Sequence, residues 1–217
     1  MRPLTESVPK PMLPVADRPL VAHTADAAVA AGADRLVFVV GYEADRVRDY
    51  FGEAYRDVPV AYATQDEQLG TAHAAAAARE HLDDDFVVLN GDDLYDEDAL
   101  AALFTQCPSV GAYTVDDPRP YGVFSVDDGQ VTDIVEKPEN PSSNRVNVGA
   151  YHFPAEAADW LTEVDRSDRG EYEITDVLAR VINSREVSAV PVRRWLGVGR
   201  PWELLEANEW KLAELDR

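Results

Sequence analysis

Three short stretches place groups suited to phosphate and nucleotide chemistry where a backbone can hold them still. In RPLTESVPKPMLPVADRPL, Lys10 stands between Pro9 and Pro11. Each proline fixes its own φ, so the cation rides on a semi-rigid loop that suits a phosphate; a solvated loop lysine is the bland alternative. The segment Gln65-Asp66-Glu67-Gln68-Leu69-Gly70-Thr71-Ala72 joins a strand end to a helix start. There the amides of Gln65 and Gln68 and the backbone N–H groups can read the edge of a base, and Gly70 permits close approach, although the same loop can simply start a helix. In Phe86-Val-Val-Leu-Asn-Gly-Asp-Asp-Leu an apolar strand ends in carboxylates. Open α/β sheets place their ligands at that edge, and Asp92 offers a Mg²⁺ ligand, because Mg²⁺ keeps most of its waters and needs one or two carboxylates plus substrate phosphates. An Asp-rich turn solvating a strand end is the competing reading.

Such groups need a scaffold of alternating strands and helices, and the apolar pattern supplies one. Helix is expected from Pro19 to Ala31, stopped by Gly32, then a strand at Leu36–Val40 and a helix at Ala44–Phe51. The strand reads LVFVV without polar alternation, as when helices cover both faces of a parallel sheet. Next come a strand at Val58–Ala63, a helix from Thr71 to His81 and a strand at Phe86–Leu89. From residue 110 the pattern tightens into short strands at Gly111–Val115, Gly122–Val126, Val131–Val135 and Val148–Phe153, with a turn at Asp127–Gly129, which reads as an antiparallel or mixed extension. Helices at Ala155–Glu163, Ile174–Asn183 and Trp202–Leu215 and a strand at Val187–Val192 complete the chain.

With 217 residues, 46% of them hydrophobic, the sequence fits one α/β domain spanning 1–217. Its 41 acidic against 20 basic residues give a net charge of −21, which repels phosphate backbones and anionic membranes and argues against nucleic acid as a partner. Arginine supplies seventeen of those cations and lysine only Lys10, Lys137 and Lys211, a balance that reads as a high-salt solvation strategy, with a merely acidic cytosolic protein as the bland alternative. A single cysteine, Cys107, makes no internal disulfide, and neither a membrane span nor a signal-peptide core is visible, so a cytoplasmic location is expected.

The motifs PKPMLPVADRPL, QDEQLGTA, LNGDD, YGVF, IVEKP, NVGAYHF, GEYEITD and WLGVGRPWELLEANE come in the order seen in sugar-1-phosphate nucleotidylyltransferases. The chain resembles that family along its whole length, most closely the nucleotidyltransferase half of archaeal enzymes making UDP- or dTDP-sugars. The resemblance implies a Rossmann-like mixed sheet flanked by helices and a Mg²⁺-dependent reaction of a sugar-1-phosphate with UTP or dTTP. It also implies roles: Lys10 on the phosphates and Asp92 on Mg²⁺; Gln65, Gln68, Gly70 and Thr71 on the base and ribose; and Gly122, Glu136, Lys137, Asn147 and Thr175 around the sugar phosphate. The residue chemistry agrees, since Glu136 can accept from sugar hydroxyls and Lys137 can meet a phosphate, while Gly122 leaves room for a flat hexose. Gly149 reads better as a strand-packing glycine. Homo-oligomers are common in the family.

Two departures stand out. Family members open with a buried central strand and a G-x-G-T-R loop that cradles the triphosphate, and neither precedes Lys10 here. We expect the missing part to be encoded upstream of Met1, and its loss to leave apolar flank and unpaired backbone groups mid-sheet, favouring marginal stability or self-association. The second metal carboxylate of the family falls at Gly197, and Asp93 is a poor substitute on a regular strand, where neighbours face opposite ways; only an irregular turn aims both Asp92 and Asp93 at one ion. A catalytically impaired binding or regulatory protein is therefore the rival reading, with a nucleotide-sugar glycosyltransferase as a third.

Overall fold

The computed structural model describes residues 1–215 apart from Arg2, Ser7 and Asp168. A 3₁₀ turn at Lys10–Met12 leads into β1 (Pro14–Val15), β2 (Arg18–Pro19), α1 (Leu20–Ala30), β3 (Leu36–Val40), α2 (Ala44–Phe51), β4 (Ala54–Tyr55) and β5 (Val58–Thr64). Next come α3 (Thr71–Ala77), β6 (Phe86–Leu89), β7 (Asp93–Tyr95), α4 (Glu97–Phe104), β8 (Ser109–Thr114), β9 (Gly122–Asp127), β10 (Gln130–Glu136) and β11 (Arg145–Phe153). The chain ends with α5 (Ala157–Trp160), α6 (Ile174–Ser184), β12 (Val187–Pro191), β13 (Trp195–Gly197) and α7 (Pro201–Leu215).

A six-stranded sheet in the order β6-β11-β8-β12-β10-β9 forms the larger part, and only β8 and β12 run parallel in it. A three-stranded sheet, β3-β5-β4, forms the smaller part, with β3 and β5 parallel. Among the described residues β3 pairs only with β5, and β6 only with β11, so each keeps one hydrogen-bonding edge unpaired. Val39 on β3 is 37% exposed, and Val87, Val88 and Leu89 are half-buried. What joins the two sheets is packing: Val21, Ala22, Ala25 and Ala28 of α1 share one core with Leu36, Val40, Val47 and Phe51, and Leu89 of β6 packs against it. A second core lies under α6, whose Ile174, Val177, Leu178 and Val181 meet Phe124, Ile134, Tyr151 and Phe153.

Asp26 fastens α1 to the smaller sheet. Its carboxylate accepts from Arg56 and from the Tyr55 hydroxyl, and pairs with Arg18 of β2. Burial pushes its pKa up, but the bonds from Arg56, Tyr55 and Arg18 win and hold it below the usual carboxylate range. A depressed carboxylate stabilises the fold above its unfolded pKa and loses that contribution as pH falls through the folded value. Asp26→Asn should therefore cost roughly 1–2 kcal/mol at neutral pH, moderated by the exposure of Arg56, and the deficit should shrink as pH falls below about 4. Urea midpoints of both proteins between pH 3 and 8 check this; a deficit that is the same at every pH would contradict it.

The pattern misplaced several elements. The apolar pattern gives no helix between Asp92 and Gly111, yet α4 forms there: Asp96 accepts from the Ala99 N–H as N-cap, Glu97 and Asp98 sit in the first turn, and Leu100 and Leu103 are buried. The helix expected over Thr71–His81 breaks into α3 and a 3₁₀ turn at Arg79–His81, and the one expected over Ala155–Glu163 shrinks to the single turn of α5. The strand expected at Val148–Phe153 begins at Arg145, because a bulge between Asn147 and Tyr151 interrupts its alternation. The short pair β7–β13 was not foreseen, since three-residue strands carry too little pattern.

Candidate active site

Asn90 follows β6, and its backbone N–H bonds to the Gly149 carbonyl of β11. Gly91 and Asp92 then turn the chain, the Asp93 N–H reaching back to the Asn90 carbonyl at 3.4 Å, before β7 begins at Asp93. This is the irregular turn that strand alternation alone does not provide. Lys10 pairs with Asp92, each side chain about one-third exposed at 31% and 32%. A cation and a carboxylate, expected from the sequence to serve phosphates and Mg²⁺ separately, thus meet each other at the carboxyl end of β6.

Asp93 points inward. Its Oδ2 accepts from Asn90 Nδ2 at 3.1 Å and Trp195 Nε1 at 3.2 Å, with the Tyr95 hydroxyl at 3.4 Å. Burial, reinforced by the negative charge of Asp92, pushes its carboxyl up to about 7. Gly197 lies directly opposite in the β7–β13 register, and a Cβ placed there would stand 3.0 Å from Asp93 Oδ1 and 3.2 Å from the Trp195 ring. The space that a side chain at 197 would enter is therefore bordered by a carboxylate oxygen that accepts no hydrogen bond among the described residues.

Across β11 lies a second cluster. Gly122 begins β9, and a Cβ on it would meet Glu136 Oε2 at 3.0 Å and Asn147 Cβ at 3.4 Å, so its absence opens the space between those two side chains. Burial raises the pKa of Glu136, opposed by Arg169 and Lys137, which stand 3.3 and 3.8 Å from its Oε1. Asn147 donates to the Tyr151 hydroxyl at 2.5 Å and accepts from the Gly149 N–H at 3.0 Å. Gly149 has φ of 68°, and a Cβ there would overlap Asn90 at 2.0 Å; that is the packing role read from the sequence. Lys137 is exposed.

The Gln65–Thr71 loop docks onto the segment before α6. Tyr172 donates its N–H to the Leu69 carbonyl and accepts from the Ala72 N–H, while Thr71 Oγ1 accepts from the Ile174 N–H at 3.0 Å. Gln65 turns its amide to the Gly70 carbonyl and to His73, and Gln68 is exposed. Thr175 is buried, and its Oγ1 has no hydrogen-bond partner among the described residues. An open hollow of about 580 Å³ behind this loop is lined by Thr64, Asp66, Glu67, His73, Ala76 and Ala77, and its two carboxylates make it a poor seat for phosphates. Sequence reading missed Trp195, Arg169 and Glu173; Arg169 bridges Glu136 to the buried Glu173 at 2.6 Å. A guanidinium among acidic neighbours in DRGEYEITD was the available signal.

The family model for nucleotidyl transferase matches residues 1–214. The chain belongs to that family. The bifunctional protein GlmU of Methanocaldococcus jannaschii is 34% identical to this transferase over 218 residues, covering 100% of the chain and 52% of GlmU. The UTP–glucose-1-phosphate uridylyltransferase AglF of Haloferax volcanii is 36% identical over 223 residues, covering 96% of the chain and 90% of AglF. The chain spans about half the length of the GlmU relatives it matches. A UDP-glucose pyrophosphorylase structure complexed with UDP-glucose superposes with a TM-score of 0.87 at 23% identity, over 99% of this chain and 94% of that one. The transferase therefore has the same mixed α/β fold. A structure of a putative glucose-1-phosphate thymidylyltransferase from Bacillus anthracis gives 0.86 at 25% identity, over 97% and 89%. No described helix is long and apolar enough to cross a membrane.

Proposed function

We propose that this transferase joins a sugar-1-phosphate to UTP or dTTP, releasing pyrophosphate. The observation that carries the reading is the placement of two clusters along β11: Asn90–Asp92 with Lys10 at Gly149, and Glu136 with Gly122 at Asn147. In the reaction a sugar-phosphate oxygen attacks the α-phosphorus in line, and the α–β bridging bond breaks toward the leaving pyrophosphate. Lys10 neutralises charge on the phosphates, Glu136 and Asn147 hold sugar hydroxyls, and Lys137 meets the sugar phosphate. The Gln65–Thr71 loop takes the base and ribose, and Thr175 completes the wall behind the sugar phosphate. Asp92 would hold Mg²⁺, which when bound lowers the cost of charge developing on the α-phosphate and pyrophosphate. Positioning and electrostatics carry such a step.

The relatives support this class of substrate, since AglF is named for UTP and glucose-1-phosphate. The test is pyrophosphate release with Mg²⁺, a hexose-1-phosphate and either UTP or dTTP, expected to require all three components. Release of nucleoside diphosphate would point to glycosyl transfer instead. Saturable sugar-phosphate binding without pyrophosphate would identify a binding protein.

A further inference from the structure

At the end of β6 remote from Asp92, three side chains converge that nucleotidyl transfer does not use. Asp85 precedes β6, Cys107 lies in the loop between α4 and β8, and His152 is next to last in β11. Strand register brings them together, for His152 pairs with Val87 of β6 on one side and with Ser109 of β8 on the other. One potential ligand atom from each residue lies within 4.8 Å of the other two.

The arrangement is oriented as well as close. His152 Nδ1 sits 3.0 Å from the Leu103 carbonyl, which only accepts, so Nδ1 carries the ring proton and Nε2 keeps a lone pair. A backbone carbonyl on the far nitrogen is what fixes the tautomer of metal-bound imidazoles. Asp85 Oδ1 accepts from the Ala155 N–H at 2.9 Å, leaving Oδ2 for another partner. Asp85 and Cys107 are exposed and His152 half-buried, so the cluster has a path to solvent and room for a fourth, non-protein ligand.

We propose that Asp85, Cys107 and His152 form a binding site for a zinc-class transition-metal dication, separate from the Asp92 site. A thiolate, an imidazole and a carboxylate favour Zn²⁺ or Co²⁺ over the hard, oxygen-seeking Mg²⁺. Ligand atoms around tetrahedral zinc stand about 3.4–3.8 Å apart, so closure from 4.8 Å takes roughly 1 Å of side-chain movement. Without metal, burial and a hydrogen bond to Asp85 push the Cys107 thiol up to about 12, Arg185 opposing and Glu156 assisting. Metal binding expels that proton to solvent, and the dication is balanced by one thiolate and one carboxylate. The bound ion ties the loop before β8 to β11 and to the start of β6, and stabilises the fold by mass action.

The full chain, stripped with a chelator, is titrated with Co²⁺ in excess Mg²⁺. We expect one equivalent to bind with a thiolate-to-cobalt charge-transfer band, retained in Asp92→Asn and lost in Cys107→Ser. Zn²⁺ should bleach the band and protect Cys107 from a thiol reagent. Absence of the band, or failure of Zn²⁺ to protect the wild-type thiol, overturns the site without depending on how any variant folds. A band undiminished in both His152→Gln and Asp85→Asn shows a lone thiol binding cobalt, and overturns it too.

Discussion

Asp92→Asn is expected to lower the turnover of nucleotidyl transfer by about 10²–10³-fold while leaving thermal stability close to wild type. The two effects separate because of where the residue sits. Asp92 pairs with Lys10 at the surface end of β6, with each side chain near one-third exposed. A pair so hydrated contributes about 1 kcal/mol or less to folding. In the proposed reaction the same carboxylate would hold a dication against a triphosphate, where substrate excludes water and each charge counts for more. On the same proposal Lys10→Met should act in the same direction, by removing the cation assigned to the phosphates. Steady-state rates of pyrophosphate release, set beside thermal melts, decide the matter. A loss under tenfold would place the chemistry elsewhere, and a collapse in melting temperature would make the pair structural.

The places of Lys10 and Asp92 in the fold were legible in the sequence, though not their pairing, because local rules set them: prolines stiffen the loop around Lys10, and an apolar strand presents the residues just beyond it at its carboxyl edge. The same logic gave β3 and β6, each an unbroken apolar run, and most of β5. The environment of Asp93 was not legible, since it depends on Trp195, 102 residues away, and on a register that sets Gly197 opposite it. No periodicity encodes a three-residue strand pair. Glu136 shows the intermediate case: its motif marks the residue, but its link through Arg169 to Glu173 arises only when α6 packs on β10. Gly197 likewise read as the loss of a ligand, and in the fold it is also the vacancy beside Asp93.

Gly70 gives the largest expected effect on stability. Its φ is +123°, a region open to glycine and strained for other residues, and a Cβ there would stand 2.4 Å from the Tyr172 carbonyl oxygen and 2.6 Å from its nitrogen. Those atoms are backbone, and both hold the loop in place through bonds to Ala72 and Leu69. They cannot rotate away as a side chain would. Sequence reading gave Gly70 to a nucleotide's approach; in the fold the chain's own Tyr172 makes that approach. Gly70→Ala should cost about 1–3 kcal/mol for backbone strain and a similar amount for overlap, and should separate the Gln65–Thr71 loop from the segment that carries Thr175. Gly129→Ala is the matched control, because Gly129 has φ of +80° with nothing within 4 Å of the added Cβ. Urea unfolding should show Gly129→Ala losing only the strain component and Gly70→Ala clearly more. Equal losses would mean that the Tyr172 backbone yields, and that the contact between the two loops does not depend on glycine at position 70.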